Sequence, residues 1–138
     1  MASRSLDDLL PQVKERALRF TNTCALQGMD ILIYCTYRSP DEQDALYALG
    51  RTKPGHIVTN ARAGDSFHQH RVAFDFVPLV AGKPAWNDKD LYLKAGGIAE
   101  GIGFEWAGRW TGKLRETAHC QYTGGLSLAQ FKAGQLPP

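Results

Sequence analysis

The sequence predicts an α+β fold, on two observations. Two stretches, about 12–27 and 88–100, place apolar residues at helical spacing. Three short apolar runs rich in β-formers, at 30–35, 72–77 and 118–122, lie between turn residues and read as strands. With 138 residues, the chain fits one domain spanning 1–138. That length buries a core without disulfide staples.

Each element follows from local chemistry. Residues 6–10 make one short turn. Pro11 suits the first turn of a helix, where its missing N–H costs nothing. Val13, Ala17, Leu18, Phe20 and Thr21 then form a stripe, and Gly28 ends it. Asp30 to Cys35 is a buried strand that delivers Thr36, Tyr37 and Arg38 at its end. Ser39 reads as an N-cap, Pro40 as the first helical residue and Glu42 as the closing member of a capping box. This helix runs to about Leu49. Residues 51–65 form a long loop, with a short strand expected at Ile57–Val58, and a loop of this length tends to be functional.

The next strand begins near Val72. Ala73, Asp75 and Val77 share one face, and Phe74 and Phe76 take the other. Ala81, Gly82 and Lys83 make a hairpin turn. The second long helix is capped near Asn87–Asp90, turns Leu91, Leu93, Ile98 and Ala99 inward, and is ended by Gly101 and Gly103. Trp106 and Trp110 read as core, ahead of a surface that stacks on sugar or peptide. The last strand covers Ala118 to Tyr122. Ser127 caps a final short helix over 128–133.

Composition narrows the function. Hydrophobic residues make up 43% and charged residues 22%, which suits a water-exposed globule. The net charge of +2 lacks the basic bias of a nucleic-acid binder. No run approaches the length of a membrane span. The N-terminus lacks the apolar core of a signal peptide, so synthesis in the cytoplasm is expected. Cys24, Cys35 and Cys120 are odd in number and widely spaced, which argues against a disulfide framework. Cys24 and Cys35 read as buried small hydrophobes, and Cys120 as facing away from its neighbour His119.

The chemistry gathers in two places, Ser66 to Phe76 and Glu116 to His119. Together they offer imidazoles and carboxylates. Two His and one Asp can fill three positions of a tetrahedral Zn²⁺ and leave the fourth for water. Asp75 lies among Val72, Ala73, Phe74, Phe76 and Val77, and a buried carboxylate needs a partner or a metal. His68, Asp75 and His119 are therefore the candidate ligands, with Glu116 as a base for the acidified water. His70 is the rival ligand, or a group that orients one. His68 and Asp75 are seven positions apart, so on one strand they would face opposite ways. His68 must then lie in the preceding loop. By the same argument Glu116 lies in the connection and His119 on the strand.

At these residues the sequence resembles the zinc D,D-carboxypeptidase and L-alanyl-D-glutamate peptidase family, which includes VanY-type carboxypeptidases and phage endolysins. The resemblance rests on Ser66-x-His68-x(6)-Asp75 and Glu116-x-x-His119, with Tyr37-Arg38-Ser39, Gln43 and Leu46-Tyr47 upstream. It implies a small central antiparallel sheet with helices packed on it and zinc in a cleft, as in D,D-peptidase and Hedgehog folds. It gives zinc to His68, Asp75 and His119, and catalysis to Glu116. It sets Arg38 beside the reacting carbonyl or the substrate carboxylate. Ser66 and Gln43 fall in the pocket wall, with Ser39 beside them. Arg71 departs from the pattern, because many members carry Gly there.

The function so implied is cleavage of peptidoglycan stem peptides by a monomeric zinc peptidase. An endolysin-type L-alanyl-D-glutamate endopeptidase, acting on the wall after release through a holin pore, is the first expectation. Removal of terminal D-Ala is the second. A zinc-bearing binding module without catalysis is the third, and the retained Glu116 argues against it.

Overall fold

In a computed structural model describing residues 2–138, the chain folds around a five-stranded antiparallel sheet. The strands are β1 (Asp30–Cys35), β2 (Ala73–Val80), β3 (Lys83–Pro84), β4 (Glu105–Trp106) and β5 (His119–Gln121). Their order is β1-β2-β5-β4, with β3 paired to β2 beyond the end of β5. The helices are α1 (Pro11–Leu26), α2 (Pro40–Ala48), α3 (Lys89–Ile102) and α4 (Leu128–Lys132). The expected α+β architecture is borne out.

The sheet has one apolar and one polar face because its strands alternate. Phe74 and Phe76 of β2 enter a core with Phe20 of α1, Tyr92 of α3, Phe104 and Cys120. Their rings meet edge-on or tilted, 5.1–5.5 Å between centroids, as aromatic pairs prefer. α1 buries Val13, Ala17, Phe20 and Cys24, a 4-3-4 spacing along one helical face. The expected Leu18 turns outward instead. In α3 the buried set is Tyr92, Ala95, Gly96, Ala99 and Ile102, and Leu93 is 49% exposed. The aromatic Tyr92 takes the inward position expected for Leu93. Gly101 lies inside α3, and only Gly103, with φ +108°, ends it.

The strand and the hairpin expected after Val72 merge into one longer element. β2 runs through Pro78 to Val80 and turns at Ala81–Gly82, both with positive φ. That pair of conformations suits the twist of a two-residue hairpin. Pro78 is tolerated because β5 pairs only with Ala73, Phe74 and Asp75 and asks no N–H of it. No strand forms at Ile57–Val58. Both residues are more than half exposed, so burial gives them nothing to pair for. Polar contacts hold the 51–65 loop. Arg51 donates to the Tyr47 and Thr59 carbonyls, Gln43 to the Ala61 carbonyl, and the Asp44 carboxylate accepts from the Ala63 N–H.

Trp106 pins the connection before β5. Its ring fits where Gly96 and Gly108 have no side chain; a Cβ at either would lie 2.1–2.2 Å from the indole. Its Nε1–H donates to the Thr117 carbonyl at 2.8 Å, beside Glu116. Trp106 is core, as expected.

Candidate metal centre

The polar face of the sheet carries the site. Cys35, Asp75 and His119 stand opposite one another across β1, β2 and β5. Directly opposed residues share a face, so the pairing alone brings Asp75 beside His119. The register of β1 shifts by one residue between Ile33 and Cys35. Such a bulge re-aims side chains, and Tyr34, Cys35 and Asp75 all line the second cavity beside the site.

His68 comes from outside the sheet, as its odd spacing requires. It lies in a short 3-10 turn, Phe67–His70, which begins with a capping box. The Ser66 hydroxyl accepts from the His68 N–H, and the Gln69 side chain accepts from the Ser66 N–H. Arg71 then closes the turn in the left-handed conformation, φ 61°. This is the position where the resemblance leads one to expect Gly, which adopts that conformation freely. Arg71 compensates with its side chain, which lies over the Tyr37 ring at 4.0 Å and donates to the Asp8 carbonyl at 2.9 Å.

The donors converge on Asp75. His68 Nε2 is 3.3 Å and His119 Nδ1 is 3.2 Å from Asp75 Oδ1. The other nitrogen of each ring is committed elsewhere. His68 Nδ1 donates to the Thr36 carbonyl at 2.8 Å, and His119 Nε2 to the Gln121 side-chain oxygen at 2.9 Å. The remaining nitrogen of each ring therefore points at one carboxylate oxygen. Lone pairs do not face each other without a positive charge between them, and a proton or a metal cation meets that need. Glu116 joins from the connection: Asp75, Glu116 and His119 offer ligand atoms within 4.8 Å of one another. Cys35, His68 and Asp75 form a second such group, with Asp75 common to both.

The electrostatics follow. Burial alone would lower the His68 pKa, but hydrogen bonds to Asp75 and Cys35 together with the Asp75 charge outweigh burial and lift it to about 10. Burial alone would raise the Asp75 pKa, but hydrogen bonds from His119 and His68 hold it well below the usual carboxylate range. Burial, then the Asp75 charge, pushes the Tyr34 phenol well up, so it stays a donor at the cleft wall.

Arg38 lies behind the carboxylate. Its Nη1 donates to Gln43 at 2.8 Å, and its Nη2 lies 3.9 Å from Asp75 and 3.5 Å from the Cys35 sulfur. Its Nε is buried and has no hydrogen-bond partner among the described residues. A cleft of about 1220 Å³ opens over the site, bounded by the 51–65 loop on one side and by Trp110 to His119 on the other. The second cavity, about 570 Å³, shares Tyr34, Arg38, Leu46, Leu49 and Asp75 with it.

The structure therefore brings His68, Asp75, His119, Glu116, Arg38 and Ser66 to one cleft. It places Gln43 and Ser39 behind that cleft. Gln43 is fully buried and braces Arg38, and the Ser39 hydroxyl is used to cap α2. His70 turns away, with Nε2 toward the Gly64 carbonyl at 3.1 Å and its ring on Phe131. Cys120 is in the core, but Cys35 touches His68, 3.8 Å from Nδ1. Sequence reasoning takes Cys35 for plain packing, and the bulge that re-aims it leaves no sequence signal. It also misses Gln121. Two residues past His119 on a strand, Gln121 had to share its face.

A buried His/Asp/His donor set with a free carboxylate beside it, set in an open cleft, defines a candidate metallohydrolase centre. The chain belongs to the VanY family: the family profile, described as D-alanyl-D-alanine carboxypeptidase, matches residues 7–125. Over 112 residues it is 41% identical to the peptidoglycan L-alanyl-D-glutamate endopeptidase CwlK of Bacillus subtilis (strain 168), covering 75% of this chain and 67% of the relative. The fold is that of the Serratia marcescens L-Ala D-Glu endopeptidase ChiX, with TM-score 0.62, 22% identity and 89% of each chain covered. It is also that of a vancomycin-resistance D,D-pentapeptidase, VanY, solved in complex with Zn(II). There the TM-score is 0.61 at 17% identity, covering 90% of this chain and 83% of that one.

Proposed function

We propose that the protein is a zinc-dependent peptidase that cuts the L-alanyl-D-glutamate bond of peptidoglycan stem peptides. The observation that carries the reading is the convergence of His68 Nε2 and His119 Nδ1 on Asp75 Oδ1, with Glu116 beside them. The identity to CwlK, an enzyme named for that bond, supports the substrate. So does the room at the site. Two cavities meet at Arg38 and Asp75, which leaves space for a peptide on both sides of a bond.

In this reading His68, Asp75 and His119 hold the ion, and each donor is one that Zn²⁺ accepts. When bound, the ion supplies Lewis acidity that makes a water available as a nucleophile near neutral pH. Glu116 would accept a proton from the attacking water and return it to the leaving amine. It stays exposed to the cleft, on a connection fixed by its own N–H to the Ala107 carbonyl at 3.2 Å. Arg38, braced by Gln43 and lining the cleft, supplies positive charge for the charge that grows on the substrate oxygen. Ser66 frames His68 and the adjoining wall.

Glu116→Ala tests the base: zinc content stays, and turnover on purified sacculi falls about 10²–10⁴-fold. Near-normal turnover sinks the assignment. Product analysis tests the bond. Freed stem peptides support the endopeptidase. Free D-Ala supports the carboxypeptidase reading that the family description favours. Release as an endolysin is part of the proposal, and lysis that requires a co-expressed holin supports it.

A further inference from the structure

We infer that Gln121 and Glu105 are positioning residues for His119, setting which ring nitrogen faces the metal. The inference rests on His119 as a ligand. Hydrogen-bond direction, followed from the edge of the sheet inward, carries it. Glu105 and Gln121 stand opposite each other on β4 and β5. His119 is two residues from Gln121, so all three side chains share the polar face.

The Glu105 carboxylate can only accept. Its Oε1 accepts from the Thr123 hydroxyl, and its Oε2 lies 3.2 Å from Gln121 Nε2. The Gln121 amide must therefore turn its NH₂ outward to Glu105 and its carbonyl inward. That carbonyl, again only an acceptor, is 2.9 Å from His119 Nε2. Nε2 must then carry the hydrogen, and in the neutral ring Nδ1 keeps its lone pair. Nδ1 is the atom that faces Asp75. A reversed amide would put N–H against Nε2, move the ring proton to Nδ1 and block the ligand position. Gln121 and Thr123 are each 3% exposed and His119 is 8%, so solvent does not readily replace the relay. The two-residue strand β4 thus serves the chemistry, because it brings the one acceptor-only group that orients the amide.

Long-range ¹H–¹⁵N NMR of the full chain reads the tautomer directly. The expected result is an Nε2–H on His119 in the zinc-loaded protein, kept in the metal-free protein beside any Nδ1–H that Asp75 accepts. A metal-free ring with no hydrogen on Nε2 overturns the inference without involving zinc. Chelator competition reads the consequence. Gln121→Leu and Glu105→Gln should each weaken zinc binding about 10–100-fold. The double variant Glu105→Gln/Gln121→Glu exchanges donor and acceptor while keeping an acceptor on His119, and should recover most of the affinity. A purely structural role predicts no such recovery. Glu105 is exposed on an edge strand, so Glu105→Gln should fold even if Gln121→Leu does not. Wild-type affinity in a folded Glu105→Gln variant overturns the inference. If His119→Ala still binds zinc like wild type, the ligand assignment fails, and the tautomer measurement separates that failure from failure of the relay.

Discussion

The two imidazoles reach the same carboxylate oxygen but are moored differently. His68 sits on a 3-10 turn and is held by a main-chain carbonyl, that of Thr36, at 2.8 Å. His119 sits mid-sheet and is held by side chains, Gln121 and then Glu105. A backbone acceptor cannot be removed by mutation, and a side-chain acceptor can. The first ligand is therefore protected by the path of the chain, and the second depends on residue identity at two further positions.

Removing either ring erases this contrast and gives the largest effect. His68→Ala and His119→Ala should both lose stoichiometric zinc and hydrolysis of sacculi, measured by metal analysis and product release. A variant that keeps both removes that residue from the donor set.

Acid and base sharpen the comparison next, on the His68 side. In the metal-free protein His68 has a pKa of about 10 against an ordinary value of 6.5. Its pairing with Asp75 therefore stabilises the fold fully below about pH 6.5, and that contribution is lost as pH rises through 10. Asp75 is depressed below its ordinary 3.8, so its share is complete above that value and is lost as pH falls further. Metal-free protein should thus melt highest between about pH 4 and 6.5. Zinc must displace the His68 proton, so zinc affinity should rise about tenfold per pH unit between 6.5 and 10. A flat affinity across that window would mean that His68 is already neutral.

How much of this is legible from residues alone follows the same division. The four groups of the candidate site can be read because His, Asp and Glu have few uses inside an apolar run. The odd spacings even tell which of them leave the strands. Gln121 is within reach through its two-residue offset from His119. Glu105 is not, because its partner depends on the register of a two-residue strand. The Thr36 carbonyl is not either, since every residue has one. Ile57–Val58 misleads because β-propensity reports a half-buried surface, and here the loop stays exposed over the cleft.

Thr36→Val tests the claim that the mooring is main chain. The Thr36 hydroxyl donates to the Ser5 carbonyl at 2.8 Å and helps pin the N-terminal segment to the end of β1. Losing it should cost about 1 kcal/mol of stability. Zinc affinity should not change, because the carbonyl on His68 remains. A parallel loss of affinity would show that the hydroxyl positions the ring.

Cys35→Ala should have the smallest effect and is the finest test. The thiol is 3.8 Å from His68 Nδ1, the same nitrogen that lies 2.8 Å from the Thr36 carbonyl. One N–H cannot serve both well, and the shorter, oxygen-accepting contact is the stronger. A thiol contact at that distance is worth about 0.5 kcal/mol, roughly twofold in zinc affinity. Arg38 loses its 3.5 Å neighbour but keeps Gln43 at 2.8 Å, so turnover should move as little. If zinc affinity instead falls as far as in Gln121→Leu, the sulfur and not the carbonyl holds His68. The first ligand would then be as dependent on residue identity as the second, and the contrast between them would vanish.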